Sequence, residues 1–426
     1  MTGFAPPRSP RVLHNNQQIQ EGYYAFKARG LRLDLTRGKP SPAQLDLCVG
    51  MLALPGTKAF LGEGGTDCRN YGGPQGLAEA RRLFSPMLGA PSEQVLVANN
   101  SSLALMHDAV MFALLKGVCE SAAPWSRSAS IAFLCPVPGY DRHFKICEGY
   151  GIRMIPVPLK EDGPDMEQVE RLAAEDASIK GMWCMPKYSN PTGTVYSAET
   201  IERLAAMKTA AGDFRLFWDN AYAVHHLTEE RVEIANILEL CARHGHANRP
   251  LVFASTSKIT LAGAGLGLFA ASKENVKWLL ARMAPQTIGP DKLNQLRHVQ
   301  FLKDEAGIVR LMERHRALIA PKFAKVQEIF ASRFWGVDSV RWSNPKGGYF
   351  ITLEAPRGCA RQAVRLAKEA GVELTPAGAA FPHGHDPEDC VLRIAPTYVD
   401  LADVAEAAEG VALSVLLAAQ NAHDTV

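Results

Sequence analysis

The sequence predicts an α/β protein, with a large domain built on a mostly parallel sheet between helices and a smaller α+β domain beside it. Two observations carry this reading. Between Val95 and Ala271, short apolar runs alternate with amphipathic stretches, the pattern of strands buried on both faces and joined by helical crossovers. After Gly289-Pro290 the pattern changes to a long helical stretch and then strand, helix, strand, helix, as expected of a second unit. The length agrees, since 426 residues that are 47% hydrophobic can fill two or three cores.

Taken in order, Met1 to Pro10 is proline-rich and lacks the charged-then-apolar layout of a secretion signal. Residues 17–29 read as a helix, and Leu33-Asp34-Leu35-Thr36-Arg37-Gly38-Lys39-Pro40 as a short strand running into a turn that Gly38 and Pro40 punctuate. Asn70-Tyr71-Gly72-Gly73-Pro74-Gln75-Gly76 is a glycine-rich loop that opens a helix over 77–88. A strand at 95–98 leads through Asn99-Asn100-Ser101-Ser102 into a helix over 103–116. Free N–H groups at such a helix start hold a phosphate, and equally Ser101 and Ser102 suit as ordinary N-caps.

The strand at 131–134 ends in Cys135-Pro136-Val137-Pro138-Gly139-Tyr140, a tight turn that presents an aromatic ring. Next come a strand at 152–157, a helix at 166–175, a strand at 181–185 and a helix at 197–211 capped by Ser197. The strand at 215–218 runs into Asp219, and two more lie at 251–254 and 266–271. Residues 291–334 read as one long helix. Beyond it lie a strand at 349–353, a helix at 360–370, a strand at 391–394 and a helix at 401–417, with a frayed tail from Gln420. The expected division is 1–60 as an N-terminal part of the small domain, 61–300 as the large domain, and 301–426 as interdomain helix and C-terminal small domain.

Composition narrows the function. The 46 Lys+Arg and 44 Asp+Glu residues give a formal +2 with no basic tract, so nothing calls for nucleic acid or an anionic membrane. No apolar run approaches the ~18 residues of a membrane span. Nine cysteines without a C-x-x-C pair argue against a disulfide framework and against a structural metal site. A cytoplasmic protein is expected.

Polar residues stand where strands are expected to end. Ser255-Thr256-Ser257-Lys258 sets one amine among three hydroxyls; alone, this is either a solvated lysine in a polar turn or an amine placed to form a Schiff base. In Asn190-Pro191-Thr192-Gly193 a turn-forming pair follows an asparagine whose amide the proline fixes. Asp219, after four apolar residues, is a carboxylate at a buried strand end that needs a partner, whether a helix start, a basic side chain or a cationic ring nitrogen on a ligand. Tyr222 is placed to reach the same ligand.

In this order and spacing, with 29 residues from Asn190 to Asp219 and 36 from Tyr222 to Lys258, the set resembles the pyridoxal-phosphate aminotransferases of fold type I, class I. Tyr71 with its Gly-Gly-Pro-x-Gly, the Asn99 to Ser102 turn, Tyr140, and Arg393 in Leu392-Arg393-Ile394-Ala395 match further landmarks, so the likeness covers most of the chain. Leu35-Thr36-Arg37-Gly38-Lys39-Pro40, Ser257-Lys258-Ile259-Thr260 and the stretch from Gly289 to His298 resemble a bacterial aspartate aminotransferase subgroup, Ic.

The resemblance implies a role for each residue. Lys258 holds pyridoxal 5′-phosphate as a Schiff base and moves the substrate proton. Asp219 keeps the ring nitrogen protonated. Tyr222 and Asn190 meet the ring oxygen, and Tyr140 stacks on the ring. Ser101, Ser102, Ser255, Ser257 and a partner subunit's Tyr71 hold the phosphate, while Gly38, Asn190 and Arg393 meet the substrate, Arg393 taking the α-carboxylate through its two-pronged guanidinium. The resemblance further implies a homodimer, amino-acid and 2-oxo-acid substrates, and transfer from L-aspartate to 2-oxoglutarate by a ping-pong route. A same-fold lyase or decarboxylase, other amino-acid substrates, and a cofactor-sensing regulator are the competing readings. One departure stands out: many relatives carry an arginine eight residues after the lysine, and here that position is Leu266. Arg37 and Lys292 are candidates to balance the phosphate, and Arg37, Lys39, Arg142, Lys292 and Arg297 to meet a substrate side chain.

Overall fold

Alternation along each strand decides which layer of helices a residue meets. The computed structural model describes residues 16–423; the proline-rich start and the last three residues of the tail lie outside them. Thirteen strands are described: β1 (Leu33–Asp34), β2 (Val95–Ala98), β3 (Ala132–Val137), β4 (Arg153–Lys160), β5 (Gly163–Pro164), β6 (Ile179–Cys184), β7 (Arg215–Asp219), β8 (Pro250–Ser255), β9 (Gly267–Ala270), β10 (Arg341–Trp342), β11 (Ile351–Glu354), β12 (Val372–Glu373) and β13 (Val391–Ile394). Eight of them form one sheet in the order β2-β9-β8-β7-β6-β3-β4-β5. Its centre, from β8 to β4, is parallel. β9 runs against both β2 and β8, and the short β5 runs against β4.

Val95, Val97, Leu216 and Trp218 face one core, which the helices Ala78–Leu88, Met166–Glu175 and Ala198–Ala206 cover. Leu96, Phe133 and Phe217 face the other, under the helices Ser102–Lys116, Asp141–Gly149 and Lys273–Met283. Burial on both faces is why these strands read as continuous apolar runs. The result is the α/β fold expected.

A third core lies beside this sheet. β10, β11 and β13 form an antiparallel sheet, and β1 pairs in parallel with β12, Leu33 opposite Val372. Ile19, Tyr23 and Phe26 of the helix Asn16–Ala28 pack here with Phe323, Val326 and Phe330 of Glu305–Arg333 and with Val404 and Val411 of Leu401–His423. The Tyr23 hydroxyl donates to the Leu366 carbonyl at 2.9 Å, fastening the first helix to the C-terminal part. Met185, Tyr188 and Tyr222 from the large-sheet side belong to the same core. No helix among the described residues is long and apolar enough to cross a membrane.

Several elements differ from expectation. The helix expected over 291–334 is two, Lys292–Leu302 and Glu305–Arg333. Lys303 breaks it with φ 67°, and the Asp304 carboxylate accepts the Gly307 N–H at 2.7 Å as the cap of the second helix. The helix from Ser197 stops at Ala206, because Met207 turns to extended backbone on the way to β7. The last helix runs on through His423, past both its expected end at Leu417 and the start of the expected fray at Gln420. Strands of two residues, β5, β10 and β12, are too short for any periodicity to announce.

Candidate active site

The parallel strands deliver their carboxyl ends to one edge of the large sheet, where open α/β sheets hold ligands. β7 ends on Asp219, and Tyr222 follows in the next turn. β8 ends on Ser255, three residues before Lys258. β3 ends three residues before Tyr140, β2 three before Ser101, and β6 six before Asn190. Residues far apart in the chain thus meet because their strands are neighbours.

Asp219 is 1% exposed. One carboxylate oxygen lies 3.0 Å from Nε2 of His143, and the other is buried without a hydrogen-bond partner among the described residues. His143 is stacked on Trp183, with ring centres 4.3 Å apart and planes 8° off parallel, and the Tyr140 ring meets its edge at 5.0 Å. Asn190 is buried, its side-chain oxygen also unpartnered among the described residues. Its neighbour Ser189 donates to the Met185 carbonyl, and Tyr140, His143, Trp183, Ser189 and Asn190 line one crevice.

Lys258 Nζ lies 4.9 Å from the centre of the Tyr222 ring. Burial pushes its amine below the ordinary lysine value, with the Asp219 carboxylate pulling the other way. Burial likewise drives the Tyr222 and Tyr140 hydroxyls upward, with Asp219 among the charges that add to both. These groups therefore share one field, and the amine is held closer to its neutral, nucleophilic form than a solvated lysine.

Arg393, on β13, reaches back from the small sheet. Its NH1 lies 3.2 Å from Asp141, its NH2 donates to Thr375 at 3.1 Å, and its guanidinium stands 5.0 Å from the Phe350 ring centre. Its Nε is buried without a partner among the described residues. Gly38 touches the same phenylalanine: a Cβ there would fall 2.1 Å from the Phe350 ring, so only glycine lets this backbone approach. Gly139 N–H donates to the Ala380 carbonyl at 2.8 Å, tying the turn before Tyr140 to the C-terminal part.

The serines divide. Ser101 caps its helix, accepting the Ala104 N–H at 3.3 Å, and Ser102 is the buried first residue of that helix. Ser255 pairs across to Gly267. A Cβ at Gly265 would lie 3.1 Å from Ser257 Oγ and 2.9 Å from the Asn100 carbonyl. Leu266, the position eight residues after the lysine, is 2% exposed and packs in the core.

Tyr71 stands apart, 80% exposed. Lys292 donates to the carbonyls of Asn70 and Gly72 at 2.7 and 2.8 Å, so it steadies the root of the Tyr71 loop. Arg37 pairs with Asp34, Lys39 lies over Tyr398, Arg142 stands 3.9 Å from Asp141, and Arg297 donates to the Leu54 carbonyl. Sequence reasoning passed over His143 altogether. Its only signal is position, three residues after Tyr140, hence on the same side of a helix start.

An unpartnered, buried carboxylate oxygen is costly and calls for a donor from a ligand. Flanked by stacked aromatic rings and facing a partly buried amine, the arrangement fits a flat, cationic heterocycle with an aldehyde carbon. The family model described as aspartate amino-transferase matches residues 9–425. A putative aminotransferase of Mycolicibacterium smegmatis is 54% identical over 413 residues, 96% of each chain. An aspartate aminotransferase of Corynebacterium glutamicum is 47% identical over 404 residues, covering 95% of this chain and 93% of the relative. The crystal structure of an aspartate transaminase from C. glutamicum superposes with a TM-score of 0.94 at 46% identity, over 96% of each chain. With matches that run almost end to end, this chain belongs to the aspartate amino-transferase family and is an aminotransferase.

Proposed function

We propose that this enzyme moves the amino group of L-aspartate to 2-oxoglutarate, giving oxaloacetate and glutamate, with pyridoxal 5′-phosphate bound to Lys258. The observation that carries the reading is the Asp219 carboxylate, fixed on one side by His143 and open on the other, beside the depressed amine of Lys258. Likeness to relatives named aspartate aminotransferase supports the choice of aspartate.

Each residue then has a task. Asp219 holds a proton on the ring nitrogen by offering its free oxygen as acceptor. Tyr140 sets the plane of the ring, and Asn190 and Tyr222 hydrogen-bond its phenolic oxygen. Ser101, Ser102, Ser255 and Ser257 take the phosphate with the N–H groups at the start of Ser102–Lys116, and a dipole at that helix end favours the anion. Tyr71, exposed in one protomer, completes the phosphate site of a partner subunit, which makes the enzyme a homodimer. Arg393 binds the substrate α-carboxylate in the neighbourhood of Gly38 and Asn190. The cofactor, when bound, accepts the electron pair left at the substrate Cα. Displaced from the cofactor by the substrate amine, the Lys258 amine would take the proton from the substrate Cα and hand it on, which requires a neutral amine in reach. Among the described residues, the N-terminal segment up to residue 60 belongs with the small domain that carries Arg393, 61–300 make the large domain that would carry the cofactor, and the part after 300 supplies the interdomain helix and the rest of the small domain.

A panel of amino acids, each added to the holoenzyme while the cofactor spectrum is followed, tests the reading. Conversion to the amine form of the cofactor on adding aspartate, and return on adding 2-oxoglutarate, is expected. Release of ammonia or carbon dioxide without that conversion would sink it.

A further inference from the structure

The turn that bears Lys258 is held from three sides by histidines bonded to its backbone and hydroxyls rather than to the amine. His225, in the segment after β7, is 1% exposed, with Nε2 3.2 Å from the carbonyl of Lys258 itself. His315, on Glu305–Arg333, is 1% exposed, with Nε2 3.0 Å from the carbonyl of Ile259. His298, on Lys292–Leu302, is fully buried, with Nε2 3.1 Å from the Thr256 hydroxyl and 2.9 Å from that of Thr260.

The partners fix each tautomer. A carbonyl can only accept, so His225 and His315 carry their hydrogen on Nε2. Nδ1 of His315 then accepts from Gln44, which lies 2.9 Å away. His298 is the reverse: Nδ1 donates to the Asn294 carbonyl at 2.8 Å, leaving the Nε2 lone pair for the two threonines. The hydroxyl of Thr256 in turn accepts the Leu266 N–H at 2.9 Å, and the Thr256 carbonyl accepts the N–H groups of Ile259 and Thr260, both at 2.9 Å. The bonds of His315 and His298 leave one nitrogen of each ring as an acceptor, Nδ1 of His225 is buried without a partner among the described residues, and burial lowers the basicity of all three rings.

We propose that His225, His298 and His315 are positioning residues that clamp the Thr256 to Thr260 turn and thereby set the direction in which Lys258 presents its amine. The inference rests on the reading of Lys258 as the residue that bonds the cofactor. A lysine has a four-carbon stem with freely rotating bonds, so its amine is only as well aimed as the backbone that roots it. Here the root is pinned at two consecutive carbonyls and two hydroxyls from three separate elements, one of them the segment that also carries Asp219 and Tyr222. The clamp also accounts for part of the Gly289 to His298 motif: Asn294 binds the carbonyls of Ala264 and Gly265 at 3.0 and 3.2 Å, closing the far side of the same loop.

The test uses the holoenzyme and the pairs His298→Ala with His298→Gln and His315→Ala with His315→Gln. Three quantities are read: the pH midpoint of the lysine-bound cofactor's visible absorbance, kcat against KM for aspartate, and borohydride fixation of cofactor to Lys258. The alanine variants should move the midpoint by about half a pH unit or more and lower kcat roughly tenfold with little change in KM, as expected when groups that orient the reacting amine are lost. Glutamine, which can accept from the threonines or donate to Ile259, should recover most of the loss. Thr260→Val keeps the shape while removing one bond to His298, and should shift the midpoint in the same direction even where an alanine variant does not fold. A lowered melting temperature with an unchanged midpoint and kcat in the folded variants would overturn the proposal. Failure of borohydride to fix cofactor to Lys258 in the unaltered enzyme would instead overturn the reading on which it rests.

Discussion

His143 Nε2 lies 3.0 Å from one oxygen of Asp219, and the stacked ring of Trp183 fixes the angle at which it does so. A buried carboxylate with one oxygen satisfied has a definite direction for its remaining lone pairs. His143→Leu removes that anchor. Loss of a hydrogen bond to a charged group costs about 1.5–3 kcal/mol, so kcat/KM for aspartate should fall roughly 10- to 100-fold. Stopped-flow measurement of the half-reaction checks this, and an unchanged rate would mean that Asp219 needs no support.

Arg393→Leu should weaken carboxylate substrates by ~2–5 kcal/mol, since it removes one partner of a desolvated ion pair. Arg393→Lys keeps charge but not the fork, and should recover only part of the loss. Competition by a non-reactive dicarboxylate, measured by titration of the cofactor absorbance, separates binding from chemistry. Equal affinity in the leucine variant would remove Arg393 from the substrate site.

Lys187 supplies a pH dependence. It faces a separate cavity of about 520 Å³, donates to the Ala223 carbonyl at 2.6 Å, and burial lowers it from 10.5 to about 8. Between about pH 8 and 10.5 the unfolded chain holds a proton that the folded chain has lost, so stability rises with pH across that window. The burden is fully present below about 8, and its ceiling is about 3 kcal/mol. Lys187→Met should flatten the rise, as urea midpoints at pH 7.5 and 10 will show. Parallel slopes in both proteins would contradict the assignment.

Asp304 caps the 29-residue helix Glu305–Arg333 directly after the break at Lys303. Asp304→Ala should cost about 1 kcal/mol in stability, read as a lower urea midpoint, while Asp304→Asn should cost much less. An alanine variant as stable as the parent would show that tertiary packing alone places this helix.

How much of this could be read beforehand depended on range. Strands buried on both faces announced themselves, because a run such as Leu216-Phe217-Trp218 has no polar face to hide. Lys258, Asn190, Asp219 and Tyr222 were legible as a set because each sits just beyond such a run. The break at Lys303 was not, although Asp304 and Gly307 are a capping signal, since the apolar pattern continues on both sides of it. His143 and the three clamp histidines were invisible for a different reason. Each acts through a partner between 33 and 76 positions away, with Gln44 some 271 from His315, and single histidines carry no periodicity.

The bond between Arg393 and Asp141 joins a strand of the small sheet to the helix that starts at Tyr140. Before any substrate arrives, the arginine is thus already answering a carboxylate of its own chain. If Arg393 takes the substrate carboxylate as proposed, a newcomer gains only the difference between its own fit and that of Asp141. Amides and simple amines, which bring no anion, would then have nothing to exchange, and selection would begin as an internal competition that they do not enter.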